Sequence, residues 1–522
     1  MRKTTLAFAL LFGLGTAGAQ DPAAPFAQTI RGEDLRRHVS VLAADSLEGR
    51  DTGSPGERKA ARYLTEQFQK LGLKPAGTDG TWFQDIGLVT RTWNGLPYLV
   101  VDGQKRDFLE DFYVAPGAFA FPKEEILEVV FAGYAIDDEK YSDFRNVSVK
   151  NKLVFFLPGE PKAYDGRYTV TGTTKPSVWS DARLGLRRKM ETLLEKGARG
   201  VVTLLTMPDA DAVRYFDRLR LYTGRAGLSF QDDPNPLKRL PNFQVKSSLA
   251  KALFNLSDEK LADLQAGRLA PGSLTATIAV KAETITTPLP AANLAALLEG
   301  TDKKAEVLVI SAHYDHIGVA PDGQVYNGAN DNGSGTALVL EQAEAFAEAA
   351  RQGFRPRRSI LFLLVTAEEK GLLGSQYYAE HPLVPLANTV ADLNTDMVGR
   401  ADRQHEGKPD YIYVIGADKL SSELHAINEE ANKKVGLELD YTYNRPDDPN
   451  RFYYRSDHYN FAKNGIPSIF YFNGTHADYH QVGDDVEKMN FTAAERAAKL
   501  VFYTAWELAN REKRIAVDSN KP

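Results

Sequence analysis

Residues 307–316 read Val-Leu-Val-Ile-Ser-Ala-His-Tyr-Asp-His, an apolar run that ends in imidazole and carboxylate side chains. A run that is apolar at every position is typical of a strand buried on both faces, as in mostly parallel sheets. A helical pattern over 334–350 follows it. In such sheets ligands bind at the carboxyl ends of the strands. The stretch therefore predicts a parallel sheet with His313 at its functional edge.

Two further apolar runs are followed by the same kinds of side chain. Residues 360–365 precede Glu368 and Glu369, and residues 466–472 precede His480. Strand and helix thus alternate along this half of the chain, which indicates βαβ units. The sequence predicts an α/β fold with a mostly parallel central sheet flanked by helices.

Five clusters of acidic, amide or imidazole residues lie in this region. Each alone is a weak signal, because lone histidines and Glu-Glu pairs are common in ordinary structural roles. Together they supply oxygen and nitrogen ligands from several strand ends, as a catalytic zinc site requires. The clusters are Ala312–His316, Gly328–Gly335, Thr366–Glu369, Asn394–Met397 and Asp478–Val482.

The bulk composition limits the class of protein. The chain has 522 residues, 43% hydrophobic and 25% charged, with a formal net charge of -6. This length exceeds what one hydrophobic core usually serves, so two domains are expected. The mild negative charge argues against nucleic-acid binding, which needs a basic surface. The absence of cysteine excludes disulfides, thiolate zinc sites and a cysteine nucleophile.

The amino terminus is typical of a secretory leader. Arg2 and Lys3 precede the apolar residues 6–14, and residues 17–19 (Ala-Gly-Ala) fit a cleavage site. We therefore expect a signal peptide at residues 1–19 and an exported protein, either periplasmic or secreted. The apolar run is shorter than the roughly 18 residues of a membrane span, so no span is expected after cleavage.

A change in the sequence pattern at residues 124–285 predicts an inserted domain. Short β-like runs alternate there with charged loops, and the proline-containing residues 286–290 have the composition of an exit linker. We expect the first part of the catalytic domain at 20–123. The second part, which carries the metal site, is expected at 286–522.

The five clusters, in this order and at these spacings, resemble the M28 family of co-catalytic zinc aminopeptidases. Residues from about 31 to 120 and from about 290 to 512 are similar to the catalytic domain of that family. Residues 133–136 (Gly-Tyr-Ala-Ile) and 197–201 (Gly-Ala-Arg-Gly-Val) resemble the protease-associated (PA) domain often inserted in such enzymes. The resemblance implies a zinc-peptidase fold with an inserted, β-rich PA domain.

The resemblance also implies a site that holds two Zn²⁺ per chain. It further implies a cis peptide after the aspartate that bridges the two ions. The implied roles are one zinc held by His313 and Asp396, the other by Glu369 and His480, a bridge at Asp331, a general base at Glu368, and an orienting partner for His313 at Asp315.

The implied activity is that of an exported aminopeptidase. It would hydrolyse the first peptide bond of a peptide with a free N-terminus, using a water held between the metals. Three alternatives remain open: a carboxypeptidase of the same superfamily, with Arg455 as a carboxylate clamp; a single-zinc glutaminyl-cyclase-like transferase; and a non-catalytic receptor-type binding protein. Because both His313 and Asp396 are present, hydrolysis is favoured over the cyclase. Specificity and oligomeric state stay open.

Four residues are candidates for the substrate side of the site: Arg455, Asp457, His458 and Tyr479. Asp457 and His458 also fit a role in stabilising their own loop. Tyr479 adjoins a candidate ligand and is a possible donor to an oxyanion. The sequence assigns no role to His316, and Asp484 and Asp485 are expected to start a helix before Lys488.

Overall fold

The computed structural model describes residues 21–117, 121–181, 184–223, 227–231 and 240–520. The leader expected at residues 1–19 lies outside them. The chain divides into two compact units. The first unit is formed by the chain up to Ile86 together with the chain from Pro290, and the second unit is Gly87–Leu289. Within the described residues, every helix falls short of the length and apolar character that a membrane crossing needs.

Helices and strands alternate in the first unit, and strands predominate in the second. The α-helices are α1 (Ala24–Ala27), α2 (Gly32–Leu42), α3 (Pro55–Lys70), α4 (Leu184–Glu195), α5 (Asp209–Thr223), α6 (Ser247–Leu253), α7 (Asp258–Gln265), α8 (Gly335–Arg351), α9 (Leu373–Glu380), α10 (Ser422–Asn432), α11 (His458–Ala462) and α12 (Phe491–Asn510). The strands are β1 (Lys74–Pro75), β2 (Phe83–Asp85), β3 (Leu88–Trp93), β4 (Tyr98–Val101), β5 (Gln104–Asp107), β6 (Phe112–Tyr113), β7 (Phe121–Phe131), β8 (Leu153–Phe156), β9 (Gly200–Leu204), β10 (Gly227–Phe230), β11 (Asn242–Val245), β12 (Thr275–Ala282), β13 (Thr284–Leu289), β14 (Ala292–Leu298), β15 (Lys303–His313), β16 (Arg358–Val365), β17 (Thr389–Thr395), β18 (Tyr411–Ile415), β19 (Glu438–Asp440) and β20 (Ser468–Phe472).

The first unit is built on one sheet whose centre is parallel, as predicted. Its strand order is β1-β14-β16-β15-β17-β20-β18-β19, and β2 also pairs with β14. The four central strands β16, β15, β17 and β20 are mutually parallel, whereas β14 and β18 join them in the antiparallel sense. The register pairs His313 with Val365, so the chain leaves β15 and β16 at the same edge of the sheet.

Helices cover both faces of this sheet and pack against it through apolar side chains. All eight residues of β16 and all seven of β17 are buried. One face packs against α2, α3, α8, α10 and α12, and the other against α9 and α11, through residues such as Tyr378 and Phe461. Truncating a large aromatic side chain of this core, such as Phe362, to alanine costs about 3–5 kcal/mol of stability. The strand ends are therefore held rigidly, as a site assembled from several strands requires.

The second unit is rich in strands, as predicted, but it begins earlier than the sequence suggested. It contains the antiparallel sheet β10-β3-β13 and the mixed sheet β5-β4-β12-β7-β8-β9-β11-β6. Strand β4 pairs with β12 and strand β3 pairs with β13, and both partners lie near the end of this unit. The unit consequently starts at Gly87 rather than at 124, and it ends at Leu289 rather than at 285. The residues expected in the first part of the catalytic domain after Gly87 belong to the insertion.

Candidate metal centre

The predicted ligands lie where strands of the parallel centre end. His313 is the last residue of β15, and Asp396 directly follows β17. Left-handed backbone conformations occur at Ala367, just before Glu368, at Met397, just after Asp396, and at His480 itself, with φ between 54° and 56°. Such conformations cost about 1–3 kcal/mol each in a residue with a side chain, and they cluster at functional sites.

Asp331 stands between two groups of side chains. Its Oδ1 atom lies 3.4 Å from His313 Nε2, and its Oδ2 atom lies 3.1 Å from His480 Nε2. The carboxylate therefore presents one oxygen to each group, which is the geometry that a bridging ligand needs. The peptide bond between Asp331 and Asn332 is cis, as the resemblance implied.

The first group is His313 with Asp396. His313 Nε2 lies 3.3 Å from Asp396 Oδ1, and both side chains are buried. The second oxygen of Asp396 accepts a hydrogen bond of 2.9 Å from Ser456 Oγ. Ser456 was not singled out by the sequence, because it lies 60 positions away along the chain from its partner.

The second group is Glu369 with His480, joined by a histidine that the sequence analysis missed. His480 Nε2 lies 3.0 Å from Glu369 Oε2, whereas His316 Nδ1 lies 2.9 Å from Glu369 Oε1. His316 is fully buried and is a third histidine of this centre. The available signal was its position three residues after His313, on the same strand end.

Asp315 connects His313 to Glu368. Its Oδ1 atom accepts a hydrogen bond of 3.1 Å from the backbone N–H of Glu368. His313 Nδ1 lies 3.2 Å from the Asp315 carbonyl oxygen and 3.7 Å from its carboxylate, so the carbonyl is the nearer partner. Glu368 Oε2 lies 3.9 Å from His313 Nε2. Burial raises the pKa of Glu368 well above its usual range.

The donor set fits a pair of divalent cations. His313, Glu368 and Asp396 each offer an atom within 4.8 Å of the others, and a separate set of His316, Asp331 and Glu369 does the same. Imidazole nitrogens and carboxylate oxygens are the ligands that zinc takes in catalytic sites without thiolates. Buried carboxylates at this density also need positive charge nearby to be stable.

A cavity opens onto these groups. Carboxylates form one part of its wall and apolar side chains form another. Of the four substrate-side candidates, Arg455 and Tyr479 lie in the wall, where Arg455 Nη2 is 3.4 Å from Tyr479 Oη. The cavity is lined by Asp331, Glu368, Asp396, Met397, Phe452, Arg455, Phe470, Phe472, Thr475, Tyr479 and His480.

Asp457 and His458 are fully buried and do not line this cavity. Asp457 Oδ1 accepts a hydrogen bond of 2.5 Å from Ser375 Oγ. The ring of His458 stacks on Phe470 with centroids 5.0 Å apart, and burial lowers the pKa of His458 to about 3. Their placement supports the role in stabilising the loop rather than contact with a substrate.

The short 3-10 helix Val486–Lys488 follows Asp484 and Asp485, as predicted. Asp484 also holds the loop that carries Asp331. Its Oδ2 atom accepts hydrogen bonds of 3.0 Å from the backbone N–H groups of both Asn330 and Asp331. Arg400 donates to the other oxygen of Asp484 at 3.4 Å. No local pattern in the sequence indicates this contact, because the partners are more than 150 positions apart.

Comparison with known proteins identifies the part of the chain that carries this centre. A sequence model of the family described as Peptidase family M28 matches residues 293–505. These residues form an M28 peptidase domain. This confirms the resemblance drawn from the five clusters, all of which lie within the M28 domain.

Curated relatives of the M28 domain include peptidases. Aminopeptidase YwaD of Bacillus subtilis (strain 168) is 29% identical over 220 residues, which are 41% of this chain and 43% of that protein. Leupeptin-inactivating enzyme 1 of Streptomyces exfoliatus is 30% identical over 239 residues, 41% of this chain and 48% of that protein. The chain thus spans about half the length of the curated relatives that it matches.

A solved structure extends the similarity in fold to both units. The aminopeptidase from Aneurinibacillus sp. strain AM-1 aligns with a TM-score of 0.55 at 17% sequence identity. The alignment covers 96% of this chain and 100% of that chain. At an identity this low, the structural alignment shows a shared fold and nothing beyond it.

Proposed function

We propose that the protein is an exported di-zinc aminopeptidase that hydrolyses the first peptide bond of peptides with a free N-terminus. The observation that carries the proposal is the carboxylate of Asp331, whose two oxygens face two separate ligand groups. A single metal would need only one of these groups. The aminopeptidase names of relatives of the M28 domain support the same activity.

The two ions would be held by the ligands predicted from the sequence. His313 and Asp396 would bind one, Glu369 and His480 the other, and Asp331 both. When bound, zinc supplies Lewis acidity, which makes water a stronger acid and polarises the carbonyl group under attack.

Glu368 would move the proton. The backbone N–H of Glu368 is held by Asp315, and its side chain lines the cavity. Glu368 Oε2 takes a proton from the attacking water and delivers it to the nitrogen of the leaving amine. Tyr479 in the cavity wall is placed to donate a hydrogen bond to the developing oxyanion.

The lining of the cavity supports attack at the end of a peptide. The uncharged α-amino group of the peptide would bind one of the two ions, whereas Met397, Phe452 and Phe472 offer an apolar surface to the side chain of the first residue. We therefore expect preference for apolar N-terminal residues.

The remaining parts of the proposal concern the rest of the chain. The second unit, Gly87–Leu289, would be a PA domain, on the strength of the two short motifs at 133–136 and 197–201. Export would follow cleavage after Ala19, and sequencing of the mature amino terminus is expected to begin at Gln20.

Metal content and substrate selectivity test the proposal together. The purified protein is expected to hold about two zinc per chain and to cleave aminoacyl-p-nitroanilides. N-acetylated versions of the same substrates are expected to remain intact, and a chelator is expected to abolish cleavage. One zinc with cyclisation of N-terminal glutamine would instead support the transferase, and no metal with no turnover would support the receptor-type protein.

A carboxypeptidase is the second candidate, because Arg455 lines the cavity beside the metal groups. A guanidinium is suited to bind a terminal carboxylate with two parallel hydrogen bonds. Tripeptides blocked at one end separate the two activities. The aminopeptidase cleaves the C-amidated peptide and spares the N-acetylated one, whereas the carboxypeptidase does the reverse.

A further inference from the structure

Residues Leu47–Glu57 form a segment that we call the amino-terminal clasp, and it lies outside the part that matches the M28 family. Three consecutive residues in it have left-handed backbone: Glu48 with φ 51°, Gly49 with φ 62° and Arg50 with φ 51°. A side chain at such a φ is strained, and the conformation persists only where surrounding contacts impose it. The contacts of the clasp therefore indicate its role.

Arg50 ties two distant loops together. Its side chain is 1% exposed. Nε donates to the carbonyl of Tyr314 at 3.0 Å, Nη1 to that of Asn327 at 2.8 Å, and Nη2 to that of Gly328 at 2.9 Å. Nη1 also donates to the carbonyl of Leu42. Tyr314 directly follows the candidate ligand His313. Asn327 and Gly328 lie just before the bridging aspartate, Asp331.

Thr52 fixes the carboxylate that lies beside His313. Thr52 Oγ1 donates to Asp315 Oδ2 at 3.0 Å, while the other oxygen of Asp315 holds the backbone of Glu368. The backbone of the clasp makes a second contact with the same loop, in which the N–H of His316 donates to the carbonyl of Arg50 at 3.1 Å. The clasp thus contacts the loop that follows β15 through both side chain and backbone.

The guanidinium also supplies buried positive charge. Asp315, Asp331 and Glu369 interact with it electrostatically, so it offsets part of the negative charge that the centre gathers. Lysine carries the same charge but lacks the planar fork that reaches several carbonyls at once. Charge and geometry at Arg50 can therefore be separated by substitution.

We propose that Arg50 and Thr52 are positioning residues of the metal centre. Arg50 fixes the two loops that carry ligands, and Thr52 fixes the carboxylate beside His313. The inference rests on the proposed di-zinc function. Loss of either contact leaves every ligand in the chain but misplaces some of them, so metal affinity falls while the fold persists.

The test compares metal binding by Arg50→Gln, Arg50→Lys and wild type. Zinc dissociation constants are measured by competition with a chromophoric chelator, and the geometry of the site is followed in the absorption spectrum of the Co²⁺ form. Groups that orient metal ligands typically contribute 10–100-fold to affinity. We expect a loss of this size in Arg50→Gln, a smaller loss in Arg50→Lys, and an altered Co²⁺ spectrum in both.

Arg358 provides a matched control at the other end of β16. It is also fully buried, and its Nη1 donates to the carbonyls of Leu508 at 3.0 Å and Arg511 at 2.7 Å. Arg358→Gln is expected to lower the unfolding temperature and to leave zinc affinity within about twofold of wild type. Equal losses of zinc affinity in Arg358→Gln and Arg50→Gln would overturn the proposal, since the effect would then be one of general stability.

Thr52 decides the question if Arg50→Gln does not fold. Thr52→Ala is expected to weaken zinc binding by about tenfold and Thr52→Ser to restore it, because serine keeps the hydroxyl that reaches Asp315. Wild-type affinity in Thr52→Ala would overturn the role of Thr52, and wild-type affinity in a folded Arg50→Gln would overturn that of Arg50. A wild-type protein that binds no zinc would contradict the proposed function instead.

Discussion

The adjacent residues Glu368 and Glu369 differ in pKa because their surroundings differ. Burial raises the pKa of Glu368 well above its usual range. Burial and Asp331 act in the same direction on Glu369, but hydrogen bonds from His316 and His480 outweigh them and lower its pKa to about 2. When their surroundings push the pKa values of two carboxyl groups apart in this way, the group with the higher pKa is suited to proton transfer and the group with the lower pKa is suited to binding positive charge.

Substitution of each glutamate by glutamine should separate these roles. Glu368→Gln removes the proposed general base, so kcat is expected to fall by about 10²–10⁴-fold. Its zinc content should remain that of wild type, because Glu369 and the other ligands are untouched. Glu369→Gln should lose zinc as well as activity. Near wild-type turnover in a zinc-loaded Glu368→Gln would show that another group is the base.

The sequence predicted those side chains that follow apolar runs and missed those that reach the site from elsewhere. His313 and Glu369 lie just beyond strands that are recognisable from their apolar residues. Arg50 and Asp484 contact the centre across separations of more than 150 positions, and nothing local distinguishes them from ordinary surface residues. His458 shows the opposite error, because a histidine beside acidic residues was a candidate for substrate contact and is buried in the core.

At the scale of the elements, α8 buries a carboxyl group against α2. Glu341 on α8 is 1% exposed, and its Oε1 atom lies 3.8 Å from Nε2 of His38 on α2. Burial raises the pKa of Glu341 to about 8, with a further contribution from Glu344, and burial lowers the pKa of His38 to about 4. Both groups are therefore neutral between these values, so this contact between the two helices carries no charge.

The pH dependence of stability should reveal this neutral pair. The pKa of Glu341 is about 8 in the folded protein, above its ordinary value of 4.5. As pH rises from 4.5 to 8 the unfolded chain releases this proton and the folded chain keeps it, so the contribution of Glu341 to stability falls across this window. Glutamine does not titrate. Glu341→Gln is therefore expected to gain at least about 1 kcal/mol relative to wild type between pH 5 and pH 8, measured by denaturant unfolding.

An exposed glutamate on the same helix serves as the control. Glu348 pairs with Arg351 at the surface, and its pKa is lowered by hydrogen bonds from Gln352 and Arg351. Glu348→Gln should change stability little, and in the opposite direction. A stability difference between Glu341→Gln and wild type that is the same at pH 5 and pH 8 would contradict a protonated Glu341.

At the scale of the whole molecule, the insertion was recognised but its start was not. Strands β3 to β6 are only two to six residues long. A partner of β4 is β12 and a partner of β3 is β13, and both lie about 180 to 200 residues further along the chain. Only the pairing shows that they belong to the second unit, so composition alone placed the boundary too late.

The division into two units predicts how metal removal affects stability. Every candidate ligand lies in the first unit, and each unit has its own hydrophobic core. A ligand that binds only the folded state stabilises it by about 4 kcal/mol at a thousand times its dissociation constant. Calorimetry with and without chelator is expected to show one transition that moves down by several degrees and another that stays in place. Equal shifts of all unfolding transitions would mean that the units unfold as one, and no shift would mean that metal contributes nothing to the fold.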